Sequence, residues 1–169
     1  MRVKLSNFLK NEVWKWVNTH TIGKRGKADG SKQEAYTGLL GEFAVHQIFK
    51  GYIVWRDDFD GGFDFEHKGM KIDVKTMGRT VDPKPDFVNN FIAYQKNLKA
   101  DAFIFCSLNK KTSELTICGW ITKDDLLETA DKFKKGDERE RADGTTFKLK
   151  APTYEIKNSD LKPIETLLK

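Results

Sequence analysis

Residues 61–76 read GGFDFEHKGMKIDVKT, two runs of alternating apolar and polar residues on either side of a short polar turn. This is the pattern of a β-hairpin, and it predicts strands over 63–66 and 70–77. Successive side chains of a strand point to opposite faces, so Asp73 and Lys75 share one face. The apolar residues between and beside them are expected to enter the core.

The predicted hairpin brings acidic side chains of two strands together. If the strands pair, Asp64 approaches Asp73 across them, and Lys75 lies beside both. Two like charges held close together are unfavourable unless they are neutralised, and a divalent cation with oxygen ligands does so. A Mg²⁺ ion bound there would polarise a phosphodiester and lower the pKa of water, while Lys75 would stabilise developing negative charge. These residue types indicate phosphodiester cleavage.

The clearest helical pattern precedes the hairpin. Ser31 and Glu34 have the spacing of a capping box, and apolar residues then recur at helical spacing as far as Gly51. Glu42 lies on this predicted helix, and its neighbour Gly41 would permit a close approach to the sheet. Glu42 could therefore supply a further carboxylate to the same site.

The rest of the chain is interpreted as one domain, 1–169, with its core at about 31–108. An amphipathic helix is predicted at 5–18 and a basic, glycine-containing loop at 19–30. The later elements are a strand at 52–55, a helix at 87–98, a buried strand at 102–108, its partner at 115–121, a short helix opened by Thr122, strands at 146–150 and 153–157, and a terminal helix opened by Ser159.

A helix with Glu42, then the pair Phe63-Asp64, then Asp73-Val74-Lys75 resembles the PD-(D/E)XK, restriction-endonuclease-like nuclease superfamily. Phe63 replaces the proline of the family motif. The resemblance implies an α/β fold with an αβββαβ core, in which a central mixed sheet is flanked by helices. An extra N-terminal helix and a C-terminal β/α segment would lie outside that core.

The same resemblance implies the chemistry of the site. Glu42, Asp64, Asp73 and Lys75 would be catalytic, and Mg²⁺ would be bound by Asp64, Asp73 and the carbonyl of Val74, with Glu42 assisting. Mn²⁺ is expected to substitute. The implied activity is metal-dependent endonucleolytic hydrolysis of DNA. Restriction enzymes, junction resolvases and phage nucleases all fit, and the sequence does not choose among them. Two symmetric strand cuts need two sites, which favours a homodimer.

The charge of the chain suits DNA as a partner. The net charge is +5 and the pI is near 9.1. No run approaches the roughly 18 consecutive apolar residues that span a bilayer, and no export segment is evident, so no membrane partner and a cytoplasmic location are expected. The expected DNA contacts are Lys71, Arg79, Lys84, Lys24, Arg25 and Lys27.

Two other hypotheses stay open. An acidic residue followed by any residue and a lysine occurs five times in the chain, so the order of the elements carries the prediction rather than the tripeptide. Same-face Asp and Lys pairs are also common on solvated hairpins without function. The chain could instead be a non-catalytic nucleic-acid-binding or regulatory module, or a protein-interaction domain with an incidental acidic hairpin.

Overall fold

The computed structural model describes residues 1–20, 31–49, 54–55, 62–140 and 144–169. The helices are α1 (Asn7–Thr19), α2 (Lys32–Ile48), α3 (Lys123–Thr129) and α4 (Glu165–Leu168), and 3-10 turns cover Ala93–Asn97 and Asn158–Asp160. The strands are β1 (Arg2–Lys4), β2 (Val54–Trp55), β3 (Phe65–His67), β4 (Met70–Arg79), β5 (Val88–Ile92), β6 (Ala102–Asn109), β7 (Glu114–Thr122), β8 (Asp131–Phe133), β9 (Glu138–Glu140), β10 (Thr146–Lys148) and β11 (Thr153–Lys157).

A mixed six-stranded sheet lies at the centre, with the strand order β1-β7-β6-β4-β3-β2. Strands β4 and β6 are parallel, and the other neighbours are antiparallel. The predicted meander β2-β3-β4 and the predicted pairing of β6 with β7 are both confirmed. Every residue of β6 is buried, as its continuous apolar run predicts for a central strand. The fold is therefore mixed α/β, with a mixed sheet flanked by helices.

The helix starts predicted at Ser31 and Thr122 are confirmed. The Ser31 hydroxyl accepts a hydrogen bond from the Glu34 N–H, and the Glu34 carboxylate accepts one from the Ser31 N–H, which completes the capping box of α2. Thr122 caps α3 through its hydroxyl, which accepts a hydrogen bond from the Asp125 N–H. The Ser6 hydroxyl caps α1 in the same way, through the Leu9 N–H. These local hydrogen bonds satisfy N–H groups that a helix cannot pair internally.

The main sheet separates two hydrophobic clusters. On one face α1 and α2 pack against the sheet, and this helical-side cluster includes Val13, Leu40, Ile72, Val74 and Ile104. On the other face a three-stranded sheet, β5-β11-β8, packs with α3, and this second cluster includes Phe91, Phe103, Phe105, Leu126 and Ile156. Alternation along β6 sends neighbouring residues into different clusters. The short hairpin β9–β10 forms a further two-stranded sheet.

The helix predicted at 87–98 is wrong. Val88–Ile92 forms strand β5, which pairs antiparallel with β11, and only Ala93–Asn97 turns as a 3-10 helix. Burial alternates along β5, with Asn89 and Phe91 inside. The expected αβββαβ order thus has a strand and a short turn where its second helix was predicted. Pairing with β11, more than sixty residues away in sequence, overrides the local helical spacing.

The terminal helix predicted from Ser159 is also wrong in most of its length. A 3-10 turn covers Asn158–Asp160, and α4 begins only at Glu165. Pro163 disfavours a helical conformation for Lys162, which instead exchanges two backbone hydrogen bonds with Trp120 of β7. Among the described residues, no helix has both the length and the apolar character required to cross a membrane.

Candidate active site

Asp64 lies at the point where β3 stops covering β4. Phe65, the first residue of β3, pairs with Ile72, and the part of β4 beyond Ile72 has no β3 residue beside it. The Asp64 N–H donates to the Ile72 carbonyl at 2.8 Å, and Asp64 Oδ2 accepts a hydrogen bond from the Val74 N–H at 2.6 Å. The Asp64 carboxylate therefore occupies the place where the next strand residue would have paired.

This arrangement corrects the predicted strand over 63–66. Phe63 and Phe65 are both buried but belong to the two different clusters, on opposite faces of the main sheet. They do not share one face as regular alternation predicts, because the strand begins only at Phe65. Asp64 therefore precedes the strand, and its carboxylate turns towards the β4 backbone.

The carbonyl of Val74 faces the same edge. The N–H and C=O groups of one strand residue point to the same side, and the Val74 N–H points to Asp64. The Val74 carbonyl oxygen is thus directed to the edge of β4 that β3 leaves uncovered. A carboxylate and a backbone carbonyl, both oxygen donors, meet there.

Asp73 and Lys75 share a face, as predicted, and form an ion pair. Lys75 Nζ lies 2.5 Å from Asp73 Oδ2, and the two side chains are 20% and 10% exposed. Asp73 Oδ2 is buried and has no hydrogen bond of suitable geometry, so the ammonium neutralises it as a charge contact. The intervening Val74 enters the helical-side cluster, which was also predicted.

Helix α2 is held unusually close to β4 at Gly41. A Cβ atom on Gly41 would lie 1.8 Å from Thr76 Oγ1 and 3.0 Å from Thr76 Cβ, so no side chain fits there. Glu42 is the next residue on α2 and is half-buried. The close contact at Gly41 brings its charge near enough to Asp64 to raise the pKa of that carboxyl. The Gly41-Glu42 pair predicted a close approach of this helix to the sheet, but Thr76 as the facing residue was missed.

The Asp64 carboxylate is affected by two other carboxylates at this edge. Burial raises the pKa of Asp64 well above its ordinary range, and the charges of Asp73 and Glu42 raise it further. The Val74 N–H and the Lys75 ammonium act on this pKa in the opposite direction. Although Asp64 keeps some exposed surface, its carboxylate is closely surrounded by protein. The negative charges of Asp73 and Glu42 therefore both act on the buried Asp64 carboxylate.

The donor set suits a divalent cation in chemical type. It offers carboxylate oxygens and a peptide carbonyl, which hard cations such as Mg²⁺ prefer, and Asp73 Oδ2 is buried without a hydrogen bond. The geometry is not that of a formed metal site, because no group of three His, Cys, Asp or Glu side chains within the described residues could hold a metal ion. Asp64 is occupied by the Val74 N–H and Asp73 by Lys75.

The residues predicted to contact DNA differ in their exposure. Lys71 Nζ lies 5.5 Å from the centre of the Phe63 ring, and Lys84 is exposed. The Arg79 guanidinium donates to the Val88 carbonyl at 2.6 Å and is largely turned into the protein. Lys24, Arg25 and Lys27 lie outside the described residues.

Glu155, on the other strand that carries an acidic-x-Lys sequence, has a structural partner. It is 3% exposed, and Arg139 donates two hydrogen bonds to its two oxygens, at 3.0 and 2.6 Å. This bidentate pair joins the β9–β10 hairpin to the three-stranded sheet. Glu155 is therefore already neutralised by protein.

No protein-family model, curated protein or solved structure matches the chain.

Proposed function

We propose that the protein is a Mg²⁺-dependent endonuclease of the PD-(D/E)XK type that hydrolyses DNA phosphodiester bonds. One observation carries the proposal: Asp64, the Val74 peptide, Asp73 and Lys75 meet at the uncovered edge of β4. The charge of Glu42 reaches the Asp64 carboxylate. Acidic groups, a peptide carbonyl and one lysine at a strand edge form the donor set that this chemistry requires.

In this proposal Asp64, Asp73 and the Val74 carbonyl would hold the cation, with Glu42 completing its surroundings. The cation would supply Lewis-acid polarisation of the phosphate and make water more acidic. Lys75 lies beside Asp73 on the same face, where an ammonium can orient the nucleophile or stabilise negative charge on the phosphate. The nucleic-acid backbone would approach along the part of β4 beyond Ile72, where no residue of β3 pairs with it.

The test is cleavage of supercoiled plasmid, branched DNA and single-stranded DNA with Mg²⁺, Mn²⁺ or EDTA. Asp73→Ala and Lys75→Ala are compared with the wild type and with Asp160→Ala, a matched control from another Asp-x-Lys sequence on a C-terminal turn. We expect cleavage that requires metal, is lost in the first two variants and persists in the control. A wild-type protein that leaves all three DNA forms intact would overturn the proposal.

The second candidate is a non-catalytic nucleic-acid-binding module. The closed Asp73–Lys75 ion pair favours it, because the pair leaves the carboxylate already neutralised and the described residues hold no formed metal group. This candidate predicts salt-sensitive DNA binding that neither metal nor Asp73→Ala changes, without cleavage. Binding in EDTA, measured on the same variants, separates it from the nuclease.

A further inference from the structure

The end of the Lys110 side chain lies next to Gly78, near the end of β4. A Cβ atom on Gly78 would lie 2.4 Å from Lys110 Cε and 2.9 Å from its Nζ, so the lysine occupies the space that a side chain would fill. The Lys110 N–H donates to the Arg79 carbonyl at 2.8 Å, which fixes the lysine backbone beside the strand. The glycine leaves space for the lysine side chain, and the backbone hydrogen bond fixes where that side chain starts.

The same ammonium borders a cavity on the helical side of the main sheet. The cavity has a volume of about 200 Å³ and a floor of leucine side chains, and its polar lining is Lys10, Gln33, Tyr36, Lys110 and Ser113. Two ammonium groups, an amide and two hydroxyls can all donate hydrogen bonds. A lining of this composition suits an anion with several oxygens.

The charges around this cavity leave Lys110 available. The part of the chain that the structure describes gives Lys110 no side-chain hydrogen bond and no ion pair, and Lys10 donates to the Ser113 hydroxyl at 3.2 Å. Glu34 is the nearby acid, since its pKa responds to Lys110, but its carboxylate is engaged by the Ser31 N–H at 2.6 Å. This bond to a neutral N–H leaves the charge of Glu34 in place, so the two ammonium groups of Lys10 and Lys110 outnumber this carboxylate.

We propose that Lys110 and Lys10 form a second phosphate-binding site for the backbone of the nucleic-acid substrate. Four residues of β4 separate Val74 from Gly78, about 13 Å of strand at about 3.3 Å per residue. Phosphates of one DNA strand follow at about 3.4 Å along the duplex axis, so a strand bound at both places would span about four nucleotides. This inference rests on the proposed nuclease function and extends it to the binding of the flanking phosphates.

The experiment compares Lys110→Ala with Lys111→Ala, a matched control. Lys111 is the next residue, is also exposed and does not line the cavity. Duplex DNA binding is measured in EDTA at several salt concentrations, and cleavage kinetics are measured on the same duplex and on bis(p-nitrophenyl) phosphate. The small diester reaches the carboxylates without spanning the distance to Lys110.

We expect Lys110→Ala to reduce the salt dependence of DNA binding by about 0.9 in log–log slope, the loss of one phosphate contact. Its KM for duplex cleavage should rise about fivefold with kcat and small-diester hydrolysis unchanged, whereas Lys111→Ala changes each value much less. Lys110→Arg should restore the slope. Gly78→Ala, which displaces the lysine tail and keeps its charge, should raise KM to an intermediate value.

Equal slopes and KM values for Lys110→Ala and Lys111→Ala would overturn the second site while leaving the nuclease proposal standing. A wild-type protein that binds DNA without cutting it or the small diester would overturn the nuclease. If the salt dependence of DNA binding were still weaker in Lys110→Ala than in the wild type, the phosphate site would stand without the nuclease. Circular dichroism of each variant confirms that the fold is intact before these values are compared.

Discussion

The carboxylate of Asp64 accepts a 2.6 Å hydrogen bond from the backbone N–H of Val74, at the edge where β3 no longer covers β4. This bond holds a carboxylate against a strand, while burial and then the neighbouring carboxylates raise the pKa of Asp64. The ionised form of Asp64 is therefore unfavourable in the folded protein and lowers its stability. Positions that reduce stability in this way are typical of functional sites.

Asp64→Asn should stabilise the protein in EDTA and abolish cleavage. The amide oxygen can still accept the Val74 hydrogen bond, while the charge beside Asp73 is removed. We expect the free energy of unfolding to rise, because burial and the charge of Asp73 both disfavour the ionised form of Asp64. Urea unfolding measures it. A variant that is less stable than the wild type would show that the Asp64 charge is not unfavourable in the folded state.

The pH dependence of the wild type provides the control for this prediction. The folded-state pKa of Asp64 is raised, so the folded protein holds this proton more tightly than the unfolded chain does. The resulting stability is complete below the ordinary carboxyl pKa and is lost as pH rises through the raised one. Thermal unfolding in EDTA should therefore show a fall in stability over that window that is smaller in Asp64→Asn.

Lys75→Met should destabilise the protein. Asp73 Oδ2 would remain buried without its cation, and removing one partner of a largely buried pair costs about 3–5 kcal/mol. The double variant Asp73→Asn with Lys75→Met removes both charges and should recover most of that loss. Urea unfolding in EDTA measures both variants. Lys162→Met, which breaks the exposed pair with Asp125, is the control and should change stability little.

Gly41→Ala should destabilise the protein although alanine favours helices. The helix gains about 1 kcal/mol from the substitution. The new methyl group meets Thr76 Oγ1 at 1.8 Å, and overpacking of a closed contact costs about 1–3 kcal/mol. Thr76→Ala in the same chain removes the clashing atom and should restore stability. A single Gly41→Ala variant as stable as the wild type would show that α2 is free to move away from β4.

The same pair of variants tests how Glu42 is positioned. Displacement of α2 by Gly41→Ala should weaken Mg²⁺ activation of cleavage, and Thr76→Ala should restore it together with stability. The measurement is the Mg²⁺ concentration that gives half-maximal cleavage at a temperature where all variants are folded. A restored stability without restored activation would show that the Gly41–Thr76 contact is structural only.

Arg139→Ala should lower stability without affecting the site. Glu155 would stay buried without its bidentate partner, at a cost of about 3 kcal/mol, and the guanidinium stacking 4.0 Å over the Phe133 ring would also be lost. Thermal unfolding measures the loss. The kcat of cleavage, taken below the unfolding range, should equal that of the wild type. A fall in kcat would place the β9–β10 hairpin in the reaction.

Much of this architecture was predictable because its causes are local. The capping box of Ser31 and Glu34 needs only four consecutive residues, and the shared face of Asp73 and Lys75 follows from the two-residue period of a strand. A continuous apolar run predicts the buried strand β6. Each of these features depends on residues that are neighbours in sequence, so the amino-acid sequence alone is sufficient to predict it.

The remaining features depend on residues far apart in the chain. Val88–Ile92 is a strand because β11 pairs with it, and Glu42 is near the other carboxylates because Gly41 meets Thr76. Asp64 leaves the strand to accept the Val74 hydrogen bond, a bond that exists only where β3 has ended. Long-range pairing and close packing outweigh local preferences of a fraction of a kcal/mol per residue, and no local pattern records them.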